Sequence, residues 1–187
     1  CIHSGVRSIF GGPHPTYSPG MIEQEGVDAV CVGEGEFAML DLVRNLSEGR
    51  PITDIPNLWV KAEGRIHRNP VRPLVEDLDA LPWPDHDLFR TSVRGRVWRA
   101  EIMTGRGCPY SCTYCFNDAY KRLYAGCGKM IRRRSVDNVI GELEAIIRHP
   151  QYRYIQMADD LFTLSPRWLK EFSEKYRDRI GLPFSCF

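Results

Sequence analysis

Apolar residues in this chain come in short dense runs, and the breaks between them are rich in glycine, proline and acidic residues. The period within each run predicts the element it forms. Val6 to Phe10 reads as a short buried strand, ended by Gly11-Gly12-Pro13-His14-Pro15. Val27 to Val32 is a second strand, ended by Gly33-Glu34-Gly35. Phe37, Leu40, Val43 and Leu46 then recur at helical spacing, which predicts a helix with these residues as its apolar stripe and Gly49 as its stop. Strand, turn and helix in this order imply a parallel sheet with its functional loops at the C-terminal ends of the strands.

The pattern changes after Arg50. Asn57 to Lys61 and Arg65 to Arg68 read as a hairpin across Ala62-Glu63-Gly64. Val75 to Asp85, with its prolines and acidic residues, reads as an extended linker lying on a surface. A second α/β unit follows. Ala100 to Thr104 is a strand, and Ser135 caps a helix running to about Arg148, with Val139, Leu143 and Ile146–Ile147 on one face. Tyr152 to Ala158 alternates as a strand, with Asp159-Asp160 at its end. Ser165 caps a further helix with Pro166 at its first position and Trp168, Leu169, Phe172 and Tyr176 as its stripe. Leu182 to Phe187 is the start of a third strand. Repeated β–α–β–α–β is how a β/α barrel opens. The expected divisions are 1–50, an α/β unit; 51–97, a linker with a hairpin; and 98–187, the first half of a barrel.

Composition narrows the class. With 187 residues, 43% hydrophobic and 26% charged, the chain reads as globular. A net charge of +1 gives no general pull toward nucleic acid or membrane surfaces, and no apolar run approaches membrane-spanning length. Seven cysteines, an odd number, with no secretory signal point to a reducing, cytoplasmic setting rather than a disulfide framework. The chain opens Cys1-Ile2-His3 without an initiator Met and stops within a strand pattern, so it reads as an internal piece of a longer protein.

Three of the cysteines carry the chemistry. Gly105-Arg106-Gly107-Cys108-Pro109-Tyr110-Ser111-Cys112-Thr113-Tyr114-Cys115 sets Cys108, Cys112 and Cys115 at C-x3-C-x2-C spacing in one loop. Three thiolates can converge on one metal centre. A structural zinc site needs a fourth ligand, for which Cys127 is the nearest candidate. A four-iron cluster held by three cysteines keeps one iron open to a substrate or cofactor.

That spacing, with an aromatic residue before its last cysteine, resembles the signature of the radical S-adenosylmethionine (SAM) enzymes. The order of Gly11-Gly12-Pro13-His14-Pro15, Val32-Gly33-Glu34-Gly35-Glu36, the linker and Arg106-Gly107-Cys108-Pro109 is similar to members with an N-terminal cobalamin-binding domain. These include methyltransferases, ring-forming and ring-contracting enzymes, and the anaerobic cyclase of chlorophyll synthesis. The resemblance implies the C-terminal part of a flavodoxin-like domain, a linker, and the first half of a TIM-like partial barrel. It implies that Cys108, Cys112 and Cys115 hold a [4Fe–4S] cluster whose open iron binds SAM. Tyr114 matches the aromatic beside the SAM adenine, and Asp159 or Asp160 matches the group holding the SAM amino end. Gly11 and Gly12 match the positions where the backbone approaches the cobalamin nucleotide tail. His14 and His3 lack the surroundings of a cobalt ligand. The implied partners are a small-molecule substrate and an external reductant of flavodoxin or ferredoxin type.

Other roles remain open on the residues. Gly11-Gly12 also serves as a tight turn before Pro13, and Glu34 and Glu36 suit the start of the following helix. Arg132-Arg133-Arg134-Ser135 suits local structure or a cofactor pocket. A zinc-stabilised nucleic-acid module, with Cys127 as fourth ligand and Arg132 to Arg134 on phosphates, is the rival from another class.

Overall fold

A computed structural model of the chain describes residues 6–88 and 99–187. His3 and the expected boundary at residues 97 and 98 lie outside the described residues. The chain divides into two compact units: residues 1–74 with 111–128, and residues 75–110 with 129–187.

The first unit is built on a four-stranded sheet in the order β1-β2-β3-β4. Strands β1 (Ile9–Phe10) and β2 (Ala29–Cys31) are parallel, and all of β2 is buried, as the unbroken apolar run demands. Strands β3 (Leu58–Ala62) and β4 (Arg65–Arg68) form the expected hairpin, with Glu63 and Gly64 at positive φ. Two such residues match the right-handed twist of the strands they join. β3 also pairs antiparallel with β2, Ala29 facing Val60, so the hairpin extends the first sheet. A short helix, α1 (Pro13–Tyr17), follows β1.

Helix α2 (Glu36–Ser47) ends where expected, with Gly49 at φ 65°. Its buried face differs from the expected stripe. Ala38 and Leu42 are buried, whereas Phe37, Leu40, Val43 and Leu46 are exposed. The spacing identifies residues that share a side of the helix, but the sheet takes up the Ala38–Leu42 side.

The second unit contains three parallel strands in the order β5-β8-β9: Arg99–Ile102, Tyr154–Met157 and Phe184–Ser185. A two-stranded ribbon pairs β6 (Gly105–Arg106) with β7 (Arg132–Arg133). Helices α4 (Val136–Ile147) and α5 (Pro166–Arg179) make the crossovers; α3 (Asn117–Leu123) belongs to the first unit. Both expected caps form: Ser135 Oγ accepts from the Asn138 N–H at 3.1 Å, and Ser165 Oγ from the Trp168 N–H at 3.4 Å. Val139, Leu143 and Ile146 of α4 pack with Ile155, Met157 and Phe172 in one core.

The Val75 to Asp85 segment straps over α4. Asp79 accepts from the Ser135 N–H, and the Trp83 indole N–H donates to Asn138 Oδ1 at 3.2 Å. The ring of Trp83 lies so close to Gly141 that a Cβ there would stand 2.9 Å from it. Just beyond, His86 and Arg134 both engage the buried carboxylate of Glu142. Burial pushes this carboxyl upward, but the bonds from His86 and Arg134 outweigh it and hold Glu142 below the usual range.

Candidate functional site

The cysteine loop leaves the C-terminal end of β5, where loops of parallel α/β units carry function. Its root is held from the end of the neighbouring strand. Asp159, 4% exposed, follows β8 and reaches back to β5. Its Oδ1 accepts from the backbone N–H groups of Thr104 at 2.6 Å and Gly105 at 3.0 Å, and its Oδ2 accepts from the Thr104 hydroxyl. Three donors on one buried carboxylate meet most of its hydrogen-bonding demand. Gly107 then turns the chain toward Cys108 at φ 87°, and a Cβ there would fall 2.2 Å from the Met130 carbonyl oxygen. Only glycine can occupy that turn.

Arg133 fastens the loop after β8. Its guanidinium donates to the carbonyls of Leu161 at 2.9 Å and Phe162 at 3.0 Å and lies 4.7 Å above the Trp168 ring. Burial lowers its pKa, and the charge of Asp159 opposes that shift. Arg132 donates to the Val75 carbonyl, and Arg134 to the Met103 carbonyl and to Glu142. The arginine run is thus divided among three local anchors.

Asp160 is exposed, in contrast to Asp159, and both line a narrow cleft with Gly105, Gly107, Arg133 and Leu161. The two adjacent carboxylates therefore differ in their surroundings: Asp159 is buried and engaged by the backbone, and Asp160 is exposed.

Beyond Tyr110 the loop passes into the first unit. The Cys115 N–H donates to the Cys112 carbonyl at 3.0 Å, a turn that keeps these two residues close along the chain. Cys112 is exposed, Cys108 and Cys115 are half-buried, and all three are free thiols. Tyr114 is 91% exposed. Cys31 shows the contrast. It is buried, and burial, with Glu36 adding, pushes its thiol up to about 11 against the pull of Arg72, which makes it inert. Among the described residues, no three His, Cys, Asp or Glu side chains converge as a metal-holding group. The donor set itself, three accessible reduced thiols in one loop rooted on a glycine turn, suits a thiolate-ligated centre.

The two glycine loops stand at the C-terminal ends of β1 and β2. Gly12 has φ 92° and ψ −164°, a conformation that requires glycine, and a Cβ on it would meet nothing within 4 Å. The turn explains Gly12, and its face is open. Gly11 is less demanding, since a Cβ there would sit 3.8 Å from Cys31 Cβ. Gly33, at φ 83°, packs directly on Tyr124. Glu36 opens α2, in keeping with the expected helix-start role, while the Glu34 N–H is taken by the Tyr124 hydroxyl. Sequence reasoning missed Thr104, Arg133 as a loop anchor, and Tyr124. The only signal for Tyr124 was the glycine opposite it, 91 residues away.

No family model matches the chain. It is 35% identical to an uncharacterized methyltransferase of Pyrococcus horikoshii over 98% of its own length and 39% of that protein's. It is 26% identical to the anaerobic magnesium-protoporphyrin IX monomethyl ester cyclase of Rubrivivax gelatinosus, over 93% of this chain and 32% of the cyclase. The chain thus spans between about a third and two fifths of the length of these relatives. Among solved structures, the cobalamin-dependent S-adenosylmethionine radical enzyme OxsB with aqua-cobalamin bound matches at a TM-score of 0.70 and 24% identity, covering 94% of this chain and 25% of that one. These relatives are named as enzymes of methyltransferase and cyclase type, and the chain's α/β fold matches part of a cobalamin-dependent radical SAM enzyme, in line with the resemblance noted in the sequence. Among the described residues, no helix is long and apolar enough to cross a membrane.

Proposed function

We propose that this chain, a homologue of the cobalamin-dependent radical SAM methyltransferases and cyclases, is the part of such an enzyme that runs from the end of a flavodoxin-like cobalamin-binding unit into the first half of a TIM-like SAM barrel. The observation that carries this reading is the C-x3-C-x2-C loop at the C-terminal end of the first strand of a parallel β–α–β–α–β unit. Cys108, Cys112 and Cys115 would hold the [4Fe–4S] cluster. When bound, the cluster supplies the electron for reductive cleavage of SAM, and cobalamin supplies a methyl group for transfer to carbon.

The chain's own residues bind and orient. Gly107 and Asp159 fix the exit of the cysteine loop from β5. Asp160, the exposed one of the two carboxylates lining the cleft, is suited to pair with the SAM ammonium. Tyr114 offers an exposed ring to the adenine, and Gly11-Gly12 an open backbone face to the cobalamin tail. The substrate is a small molecule, and a flavodoxin- or ferredoxin-type protein delivers the electron. Ring formation or rearrangement is the second reading, favoured by the match to the ester cyclase over 93% of this chain.

Replacing Cys108, Cys112 and Cys115 together with Ala in the full-length protein is expected to abolish iron and sulfide incorporation on anaerobic reconstitution. Unchanged iron content would contradict the assignment. Methyl-labelled SAM separates the two reactions: label in the product supports methyl transfer, and an unlabelled cyclised product supports the cyclase.

A further inference from the structure

We propose that Tyr124 is a positioning residue that makes the Gly33–Glu34 turn respond to ligand binding at the cysteine loop. This rests on the radical SAM reading above. Helix α3 begins two residues after Cys115 and ends at Leu123, so Tyr124 lies at the far end of one short helix carried by the cysteine segment. Tyr124 is 2% exposed. Its hydroxyl accepts from the Glu34 N–H at 2.7 Å and from Asn57 Nδ2 at 3.3 Å. A Cβ on Gly33 would lie 1.9 Å from that hydroxyl, so the glycine is required both by its φ and by the ring against it.

The contact continues past the turn. The Gly33 N–H donates to Thr16 Oγ1 at 3.0 Å, and the Thr16 hydroxyl donates to the Gly12 carbonyl at 2.7 Å. At the near end of α3, Phe116 packs on Tyr17 with ring centroids 5.5 Å apart. The segment bearing Cys112 and Cys115 is therefore tied at both ends of α3 to the loops that follow β1 and β2. All these residues belong to the first unit. Close-packed contacts of this kind transmit displacement rather than absorb it. Ordering Cys112 and Cys115 on ligand binding would thus order the glycine turn, and the coupling is reciprocal.

The test is hydrogen–deuterium exchange of the Val32–Gly35 segment in the full-length, reconstituted protein, with and without SAM. Wild type is compared with Tyr124→Phe, which keeps the ring and removes the hydroxyl. Gly64→Ala serves as a control that strains a remote hairpin turn. SAM is expected to slow exchange about tenfold in wild type and Gly64→Ala. It should have little effect on that segment in Tyr124→Phe, although the EPR spectrum of that variant still responds to SAM. Equal slowing in Tyr124→Phe, or no slowing in a wild type whose EPR spectrum responds to SAM, would overturn the coupling alone. A wild-type cluster indifferent to SAM would overturn both this proposal and the reading beneath it. Should Tyr124→Phe take up no iron, Thr16→Val, which removes the acceptor for the Gly33 N–H and leaves Tyr124 on the Glu34 N–H, is expected to keep the slowing at Glu34; its loss there would overturn the coupling through Tyr124.

Discussion

Asp159 and Asp160 are neighbours with opposite surroundings, and substitution should separate them. Asp159→Asn keeps the size but turns an NH2 group toward donors, so it should destabilise the fold by about 1–3 kcal/mol. Asp160→Asn, at an exposed position, should change stability by less than about 0.5 kcal/mol while weakening SAM binding. Urea midpoints and SAM titrations of the two variants check this. Equal loss of stability, or unchanged SAM affinity in Asp160→Asn, would contradict the division of roles. The pair was legible in the sequence as a polar motif at a strand end. The difference between its members was not, because it depends on backbone N–H groups of Thr104 and Gly105, over fifty residues earlier. The three cysteines were legible because their chemistry is written in one loop. Tyr124 was not, because a buried tyrosine at the end of a short helix carries no pattern of its own.

At the scale of elements, local signals served well and partner-dependent ones did not. Ser135, Ser165 and the Glu63-Gly64 turn are short-range features, and each forms as the sequence implies. The joining of the hairpin to β2 was hidden, because it pairs residues some thirty positions apart. The stripe of α2 failed for a related reason. Helical period groups Phe37, Leu40, Val43 and Leu46, but Ala38 and Leu42 also share a face, and only the sheet decides between them. Leu42→Ala should therefore cost about 2–4 kcal/mol. Val43→Glu, at a position 59% exposed, should stay within about 0.5 kcal/mol of wild type in this chain. Chemical denaturation of the two variants decides the point, and a larger loss in Val43→Glu would restore the predicted stripe.

At the scale of the whole molecule, sequence order and compact units do not coincide. Residues 111–128 group with the N-terminal unit although they follow β5, and the cysteine loop itself crosses the division between Tyr110 and Ser111. No hydrophobic period encodes such an exchange, since it arises from contacts such as Tyr124 on Gly33 and Leu74 on Cys127. The account as a whole stands on the thiolate centre that this loop would carry. The most direct measurement is the EPR spectrum of the full-length protein, reconstituted anaerobically with iron and sulfide and then reduced, with and without SAM. The account predicts a four-iron signal that changes when SAM is added. A protein that takes up no cluster and retains one equivalent of zinc would contradict it.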